Sequence, residues 1–304
     1  MTIPKEISVS FAISDNFSQH LATVVASILA NADAEDRFVF HVLARMLSDD
    51  SRQRLLKLEN ERSRVVFHIV DSSCFDNFPL PIEHVTQEAY YRYLVPSIIE
   101  DEDRSIFMDV DVLVYGSLKP LWEMDLGDNL IAGTPDVKED SELFRTYKKS
   151  IGMHPDSKYF YAGMMLMDLK RLREMDFTNQ CMIETGKYIE YLAWPDQDII
   201  NHLLEGRILE LPLKWNCTAP KLMPRGESIV IEHFANFSAK PWCCLWKNRT
   251  WPKYLHYLLQ SPYRDKAIEF IWSHIKGFFY FSYVKKGIKR VLICGILVYR
   301  KRIK

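Results

Sequence analysis

The sequence lacks several features that would each have decided a class. No apolar stretch reaches the ~20 residues a membrane-spanning helix needs, and the longest wholly apolar run of the tail is residues 291–299. Residues 1–8 include Lys5 and Glu6 and no apolar core, so a secretory signal is not expected. Glycine is scarce, at 11 of 304 residues, and there is neither an internal repeat nor a long polar tract, which argues against a fibrous or disordered chain. The six cysteines (74, 181, 217, 243, 244, 294) show no paired spacing. That excludes a disulfide scaffold and points to a reducing compartment. Acidic residues are missing from one region only. Residues 276–304 hold nine Lys/Arg and no Asp or Glu, leaving 30 basic against 40 acidic residues elsewhere. An acidic body with a basic tail suggests an anionic surface as partner.

What is present describes a globular chain. Hydrophobic residues make up 48% and charged residues 26%, enough for one large core or two modest ones. Residues 7–13, 38–44 and 65–70 are short β-branched and aromatic runs that predict strands, and 21–29 and 49–58 between them predict helices. This alternation implies βαβ units and a mostly parallel sheet. Ser14-Asp15-Asn16 suits a turn or cap after the first strand. Further on, the pattern predicts a helix over 88–99, one continuous buried strand over 105–114, strands over 130–134, 162–169 and 229–234, and a helix over 197–204. Beyond about 254–264 it degrades into an aromatic, basic tail. The expected organisation is an α/β domain over 1–260 and an appendage over 261–304.

Asp109 and Asp111 interrupt the most apolar of these runs. A buried carboxylate costs several kcal/mol unless it is compensated. On a strand, residues i and i+2 share a face, so the two acids would point the same way, and a divalent cation would relieve their repulsion. Oxygen ligands favour Mg²⁺ or Mn²⁺. A helix cap, or an ion pair to Arg92 or Arg104, accounts for such a tripeptide equally well. A glycosidase dyad does not, because its carboxylates must flank the scissile bond.

An ordered set of motifs narrows the choice. It runs Phe11-Ala12, Asp15-Asn16, Tyr91-Arg92, Asp109-Val110-Asp111, Pro120-Leu121-Trp122, Ile151-Gly152-Met153, Ala162-Gly163, Asp196-Gln197-Asp198, Asn201, His233-Phe234 and Lys240-Pro241-Trp242. The chain over roughly residues 7–260 resembles glycosyltransferase family 8, in particular its bacterial lipopolysaccharide α-galactosyl- and α-glucosyltransferases. The resemblance implies a Rossmann-like GT-A domain with a mostly parallel sheet, carrying a small helical, basic and aromatic appendage. It implies a retaining hexosyltransferase using UDP-galactose or UDP-glucose, with Mn²⁺ or Mg²⁺ held by Asp109, Asp111 and His233. Lys240 and Arg92 are then expected at the diphosphate and the donor sugar. Ala12, Ser14, Asn16 and Val110 would line the nucleotide pocket. Asp136, Tyr161, Ala162, Gly163, Asp196 and Gln197 would surround the transferred sugar, with Asp196, Gln197 and Asp136 as the catalytic candidates.

Three positions depart from the family pattern. Ser14 stands where an aspartate meets the uracil ring, Tyr161 replaces an asparagine that touches the donor sugar, and Asn236 replaces a glycine. The departures leave room for a degenerate member that binds nucleotide or sugar without catalysis. A self-glucosylating primer of the glycogenin kind is disfavoured by the tail. That tail mixes Phe278, Phe279, Tyr280, Phe281, Tyr283 and Tyr299 with its basic residues, which suits an anionic membrane surface. A cytoplasmic protein attached to the inner face of the cell membrane, with a lipid-linked oligosaccharide acceptor, is therefore expected. No recognised fold supports nucleic-acid binding.

Overall fold

The computed structural model describes residues 6–80, 86–136, 141–236, 240–243, 250–285, 288–294 and 296–302. The chain opens with β1 (Glu6–Ala12), α1 (Ser18–Asn31), β2 (Arg37–Ala44), α2 (Asp49–Leu56) and β3 (Ser63–Ile69). There follow α3 (Val95–Ile98), β4 (Arg104–Met108), β5 (Val112–Val114), α4 (Lys119–Trp122), β6 (Ile131–Gly133), α5 (Glu142–Ser150) and β7 (Met164–Asp168). Then come α6 (Leu169–Glu174), α7 (Phe177–Tyr188), α8 (Pro195–Leu203), β8 (Ile208–Glu210), β9 (Ile231–His233), α9 (Trp251–Leu258) and α10 (Ala267–Phe279). The strands β10 (Tyr280–Lys285), β11 (Ile288–Ile293) and β12 (Ile296–Arg302) end it.

Seven strands form the main sheet in the order β3-β2-β1-β4-β7-β6-β8. The pairs β3-β2, β2-β1, β1-β4 and β6-β8 are parallel, while β7 runs antiparallel to both its neighbours. The α/β class and the mostly parallel sheet thus match the reading of the sequence. Both faces of the sheet are covered, one core gathering around Val9, Phe11, Phe40 and α1, the other around Phe107, Met165, Met167 and α8. This is why Ile106–Met108 of β4 and Met164–Met167 of β7 are apolar: neither face of a doubly covered strand meets water.

Two expectations about local structure give way. The region 88–99 is a 3-10 helix over Gln87–Tyr93 followed by the single turn of α3. Pro96 cannot donate a backbone bond, and the buried Tyr90, Tyr91 and Tyr93 are held by core packing rather than helix propensity. The continuous strand over 105–114 is in fact two strands in two sheets. β4 belongs to the main sheet, whereas β5 pairs antiparallel with β9 in a separate two-stranded ribbon. Asp109, Val110 and Asp111 occupy the break, at the carboxyl end of β4.

The C-terminal region also differs from a simple helical appendage. Tyr263, Ala267 and Phe270 are buried in the main core, so packing continues across residue 260. Only beyond α10 does the chain leave the body, as an antiparallel meander β10-β11-β12. Among the described residues no helix is long and apolar enough to cross a membrane. Cys74, Cys181, Cys217, Cys243 and Cys294 are free thiols.

Candidate active site

The parallel strands β1 and β4 end side by side, and the chain leaves β4 at the edge where ligands of such sheets gather. The amide of Asp109 donates to Gly163 O at 2.8 Å, continuing the β4-β7 pairing by one step before the chain departs. Three residues later Val112 lies opposite His233 in the ribbon, and the amide of Phe234 donates to Asp111 O at 2.8 Å. Backbone register, not a shared strand face, brings together two acids and an imidazole separated by over a hundred residues.

The side chains converge. One oxygen from each carboxylate and one ring nitrogen of His233 all lie within 4.8 Å of one another, a group that could hold a metal ion. His233 Nε2 is 3.2 Å from Asp111 Oδ1 and 4.0 Å from Asp109 Oδ2. An O,O,N set of this kind fits Mn²⁺ or Mg²⁺. Gly163 makes the approach possible, since a Cβ there would sit 2.5 Å from His233 Cε1 and 2.6 Å from Asp109 Oδ2.

The charges around the two acids are arranged unequally. Burial alone would raise the Asp111 carboxyl, but His233 and the Lys240 ammonium, which is paired with its Oδ2, overcome that and hold it well below the usual range. Burial pushes Asp109 up, reinforced by Asp111 and opposed by Arg92. The Arg92 guanidinium is only 7% exposed and lies over the Phe107 ring. Its Nη2 is 3.0 Å from Asp109 Oδ1 and its Nε is 3.1 Å from Asp196 Oδ2, so one cation spans the metal-type cluster and α8. Burial likewise raises Asp196, with Arg92 opposing.

Asp196 does not cap α8; the cap is Trp194, and Asp196 sits within the first turn. Gln197 accepts from the amide of Ala162 at 3.1 Å. Asn201, one turn on, grips the backbone of Phe160 at both its amide (2.7 Å) and its carbonyl (2.8 Å). These bonds lash the Tyr161-Ala162-Gly163 segment to α8. The Tyr161 hydroxyl faces the buried Asp136, and its pKa is pushed up to about 12 by burial and then by Asp136. Tyr161 therefore occupies the neighbourhood of a carboxylate expected to face the sugar.

The nucleotide-side candidates are looser. Ala12 ends β1, Ser14 precedes a 3-10 turn over Asp15–Phe17 without a side-chain cap bond, and Asn16 is exposed. Val110 is buried. Asn236 is exposed beyond β9, and among the described residues the non-glycines with positive φ are Asp176 and Cys294, so Asn236 needs no left-handed conformation here. Residues 237–239 lie outside the described set. Lys240 is anchored by its neighbours: the Trp242 ring stacks on His20 of α1 with centroids 3.7 Å apart, and His274 of α10 lies 2.8 Å from Pro241 O.

Sequence reasoning missed several residues that hold the site in place. Asn216 accepts from His233 Nδ1 at 2.8 Å, and Thr134 contacts its amide nitrogen at 3.1 Å. Asp198 accepts from the Tyr147 and Tyr159 hydroxyls and from the amides of Ala193 and Trp194, shaping the turn into α8; burial raises its pKa to about 6. His20 is held neutral, its pKa pushed down to about 3 by burial and then by Lys240. Only Asp198, inside the Asp-Gln-Asp run, had any local signal.

General stress protein A of Bacillus subtilis is 27% identical over 269 residues, covering 80% of this chain and 90% of that protein. The lipopolysaccharide 1,3-galactosyltransferase of Salmonella typhimurium is 22% identical, over 88% of this chain and 80% of its own. Among solved structures, the galactosyltransferase LgtC in complex with donor and acceptor sugar analogs superposes with a TM-score of 0.74 at 28% identity, over 84% of this chain and 96% of that one. Its likeness supports the GT-A-type α/β fold. Residues 8–244 match the model of glycosyl transferase family 8, more than three quarters of the sequence including every residue of the cluster around His233, and the chain belongs to that family.

Proposed function

We propose that the protein is a retaining hexosyltransferase that moves galactose or glucose from its UDP-sugar to a saccharide acceptor. The observation that carries this is the convergence of Asp109, Asp111 and His233 beside two cations, Arg92 and Lys240, at the carboxyl edge of the sheet. A divalent ion held by the three ligands would oppose the charge that develops on the departing diphosphate. Lys240, already drawn to this cluster, would add a second positive charge at the phosphates, and Arg92 would orient Asp196 while screening Asp109. Gln197 and Asp196, fixed by Ala162 and Arg92, would face the transferred sugar. The acceptor hydroxyl would attack from the face the diphosphate leaves, and a phosphate oxygen would take its proton. Asp136, faced by Tyr161, is better suited to shaping the donor pocket than to meeting a cationic sugar.

The acceptor proposed is a lipid-linked oligosaccharide such as a lipopolysaccharide core, the kind of substrate named for several relatives. Attachment to the inner face of the cell membrane through the basic tail would bring enzyme and acceptor together. A donor screen with Mn²⁺ tests the central reading: UDP release should occur with UDP-galactose or UDP-glucose and not with their N-acetyl analogues. Absence of release from all four, with nucleotide still bound, would favour the binding-only alternative.

A further inference from the structure

A histidine serves as a metal ligand only through a nitrogen that carries no proton, so something must decide which ring nitrogen that is. In this chain the decision is made outside the acidic cluster. His233 Nδ1 lies 2.8 Å from the side-chain oxygen of Asn216, which can only accept, so Nδ1 keeps its proton and Nε2 is the nitrogen left to ligate a cation beside Asp109 and Asp111. An asparagine turned the other way would put its NH₂ against Nδ1, and the proton would move to Nε2, where it would bond to Asp111 Oδ1 and close the site to a cation. Orientation of the amide is thus the controlling variable. Asn216 is fully buried, and its nitrogen is 3.1 Å from Thr134 Oγ1, which can receive it.

Both partners are set by backbone register. The amide of Cys217 donates to Ile231 O at 2.8 Å and that of His233 donates to Cys217 O at 3.0 Å, which places Asn216 alongside the imidazole. Thr134 follows β6, and its carbonyl accepts from the amide of Tyr161 at 3.0 Å. A single run of contacts therefore leads from the segment expected at the sugar, through Thr134 and Asn216, to the imidazole.

We infer that Asn216, bonded to Thr134, is a positioning residue that selects the Nε2-ligating tautomer of His233. The inference rests on the reading of Asp109, Asp111 and His233 as metal ligands. The test is Mn²⁺ binding, followed by electron paramagnetic resonance without nucleotide, for the wild type, Asn216→Leu, Asn216→Asp and Thr134→Val. A positioning residue of this kind is worth about 10- to 100-fold in metal affinity. Asn216→Leu should lose that much. Asn216→Asp, which still accepts from Nδ1, should stay within a few-fold of wild type, and Thr134→Val should fall between. Equal binding by folded Asn216→Leu and wild type would overturn the inference. If Asn216→Leu does not fold, ¹⁵N chemical shifts of His233 in the metal-free wild type, taken at a pH where the imidazole is neutral, decide: a protonated Nδ1 with a bare Nε2 supports the inference, and a protonated Nε2 with a bare Nδ1 rejects it. A wild type that binds no Mn²⁺ yet shows a protonated Nδ1 would sink the metal reading while leaving the tautomer assignment standing.

Discussion

Among the described residues two small sheets stand outside the main one, and they are built on opposite terms. The ribbon β5-β9 has three residues per strand, joins segments far apart in sequence, and every residue in it is buried. The meander β10-β11-β12 has strands of six or seven residues, close neighbours in sequence, and every side chain of β12 is exposed. By intrinsic pairing the meander should be the better sheet. Yet the ribbon is the one that carries His233 of the proposed site, because each of its pairs is enforced by surrounding core, whereas the meander is held chiefly by itself. Long-range burial, not strand length, gives a site its precision.

The sharpest way to break the comparison is to remove charge from the ribbon's end. Asp111→Asn or His233→Ala should lower UDP release by about 10²- to 10³-fold, the range found when one preorganised electrostatic partner is lost. An effect below tenfold in folded variants would mean that the cluster is not where charge develops. Gly163→Ala is a gentler version. The new Cβ would lie 2.5 Å from an imidazole atom and 2.6 Å from a carboxylate oxygen, so His233 and Asp109 must part. Mn²⁺ affinity should fall at least ~10-fold, by analogy with lost supporting contacts, with thermal unfolding little changed. Unaltered affinity would show that the cluster can expand.

The other face of the ribbon tests whether its rigidity comes from burial. Glu232 Oε2 accepts from the Tyr115 hydroxyl at 2.7 Å and pairs with Lys253 at 2.9 Å. Tyr115→Phe leaves a buried carboxylate one donor short and should cost about 1–3 kcal/mol in urea unfolding. UDP release, measured well below the midpoint, should change less than about threefold, because Lys253 remains to hold Glu232 in place.

How much of this was readable follows the same division. The first half of the main sheet announces itself: β1, β2 and β3 alternate with α1 and α2, and each local pattern agrees with the packing. The break after Met108 does not, because Val112-Leu113-Val114 is as apolar as Ser105–Met108, and nothing local says that the two belong to different sheets. Asp109, Asp111 and His233 were legible through their resemblance to a family, and Lys240 likewise. Asn216 and Thr134 were not, since an asparagine after a tryptophan and a threonine before a proline carry no pattern of their own. Their roles exist only once β6, β9 and residues 213–217 are assembled. In the tail, composition points to a basic surface and the resemblance to a helical appendage, but neither points to the meander that follows α10.

The outward face of α10 supplies the mildest test. Ile268, Trp272, Ile275 and Phe279 fall at successive spacings of four, three and four along α10, and their exposures are 68%, 56%, 41% and 59%. They form one stripe turned away from the core, while Ala267 and Phe270 pack inward and His274 reaches Pro241. An outward apolar stripe continuous with basic strands is the composition of a surface that rests on anionic lipid. The side chains of Phe278, Phe281, Tyr283 and Lys285, together with Lys286 and Lys304, lie outside what the structure describes, so the stripe and the basic residues of β11 and β12 carry the argument. Replacing Trp272 and Ile275 with serine should leave UDP release in solution unchanged, since neither side chain is part of the core. Sedimentation with vesicles rich in phosphatidylserine should fall by about three- to tenfold, in line with two exposed apolar groups losing their insertion. Binding of the wild type should weaken further as salt is raised, because screening acts on the Lys and Arg of the meander. Vesicle binding that ignores both changes would leave the meander as an exposed sheet without a membrane role, and would make the ribbon the one accessory sheet tied to function.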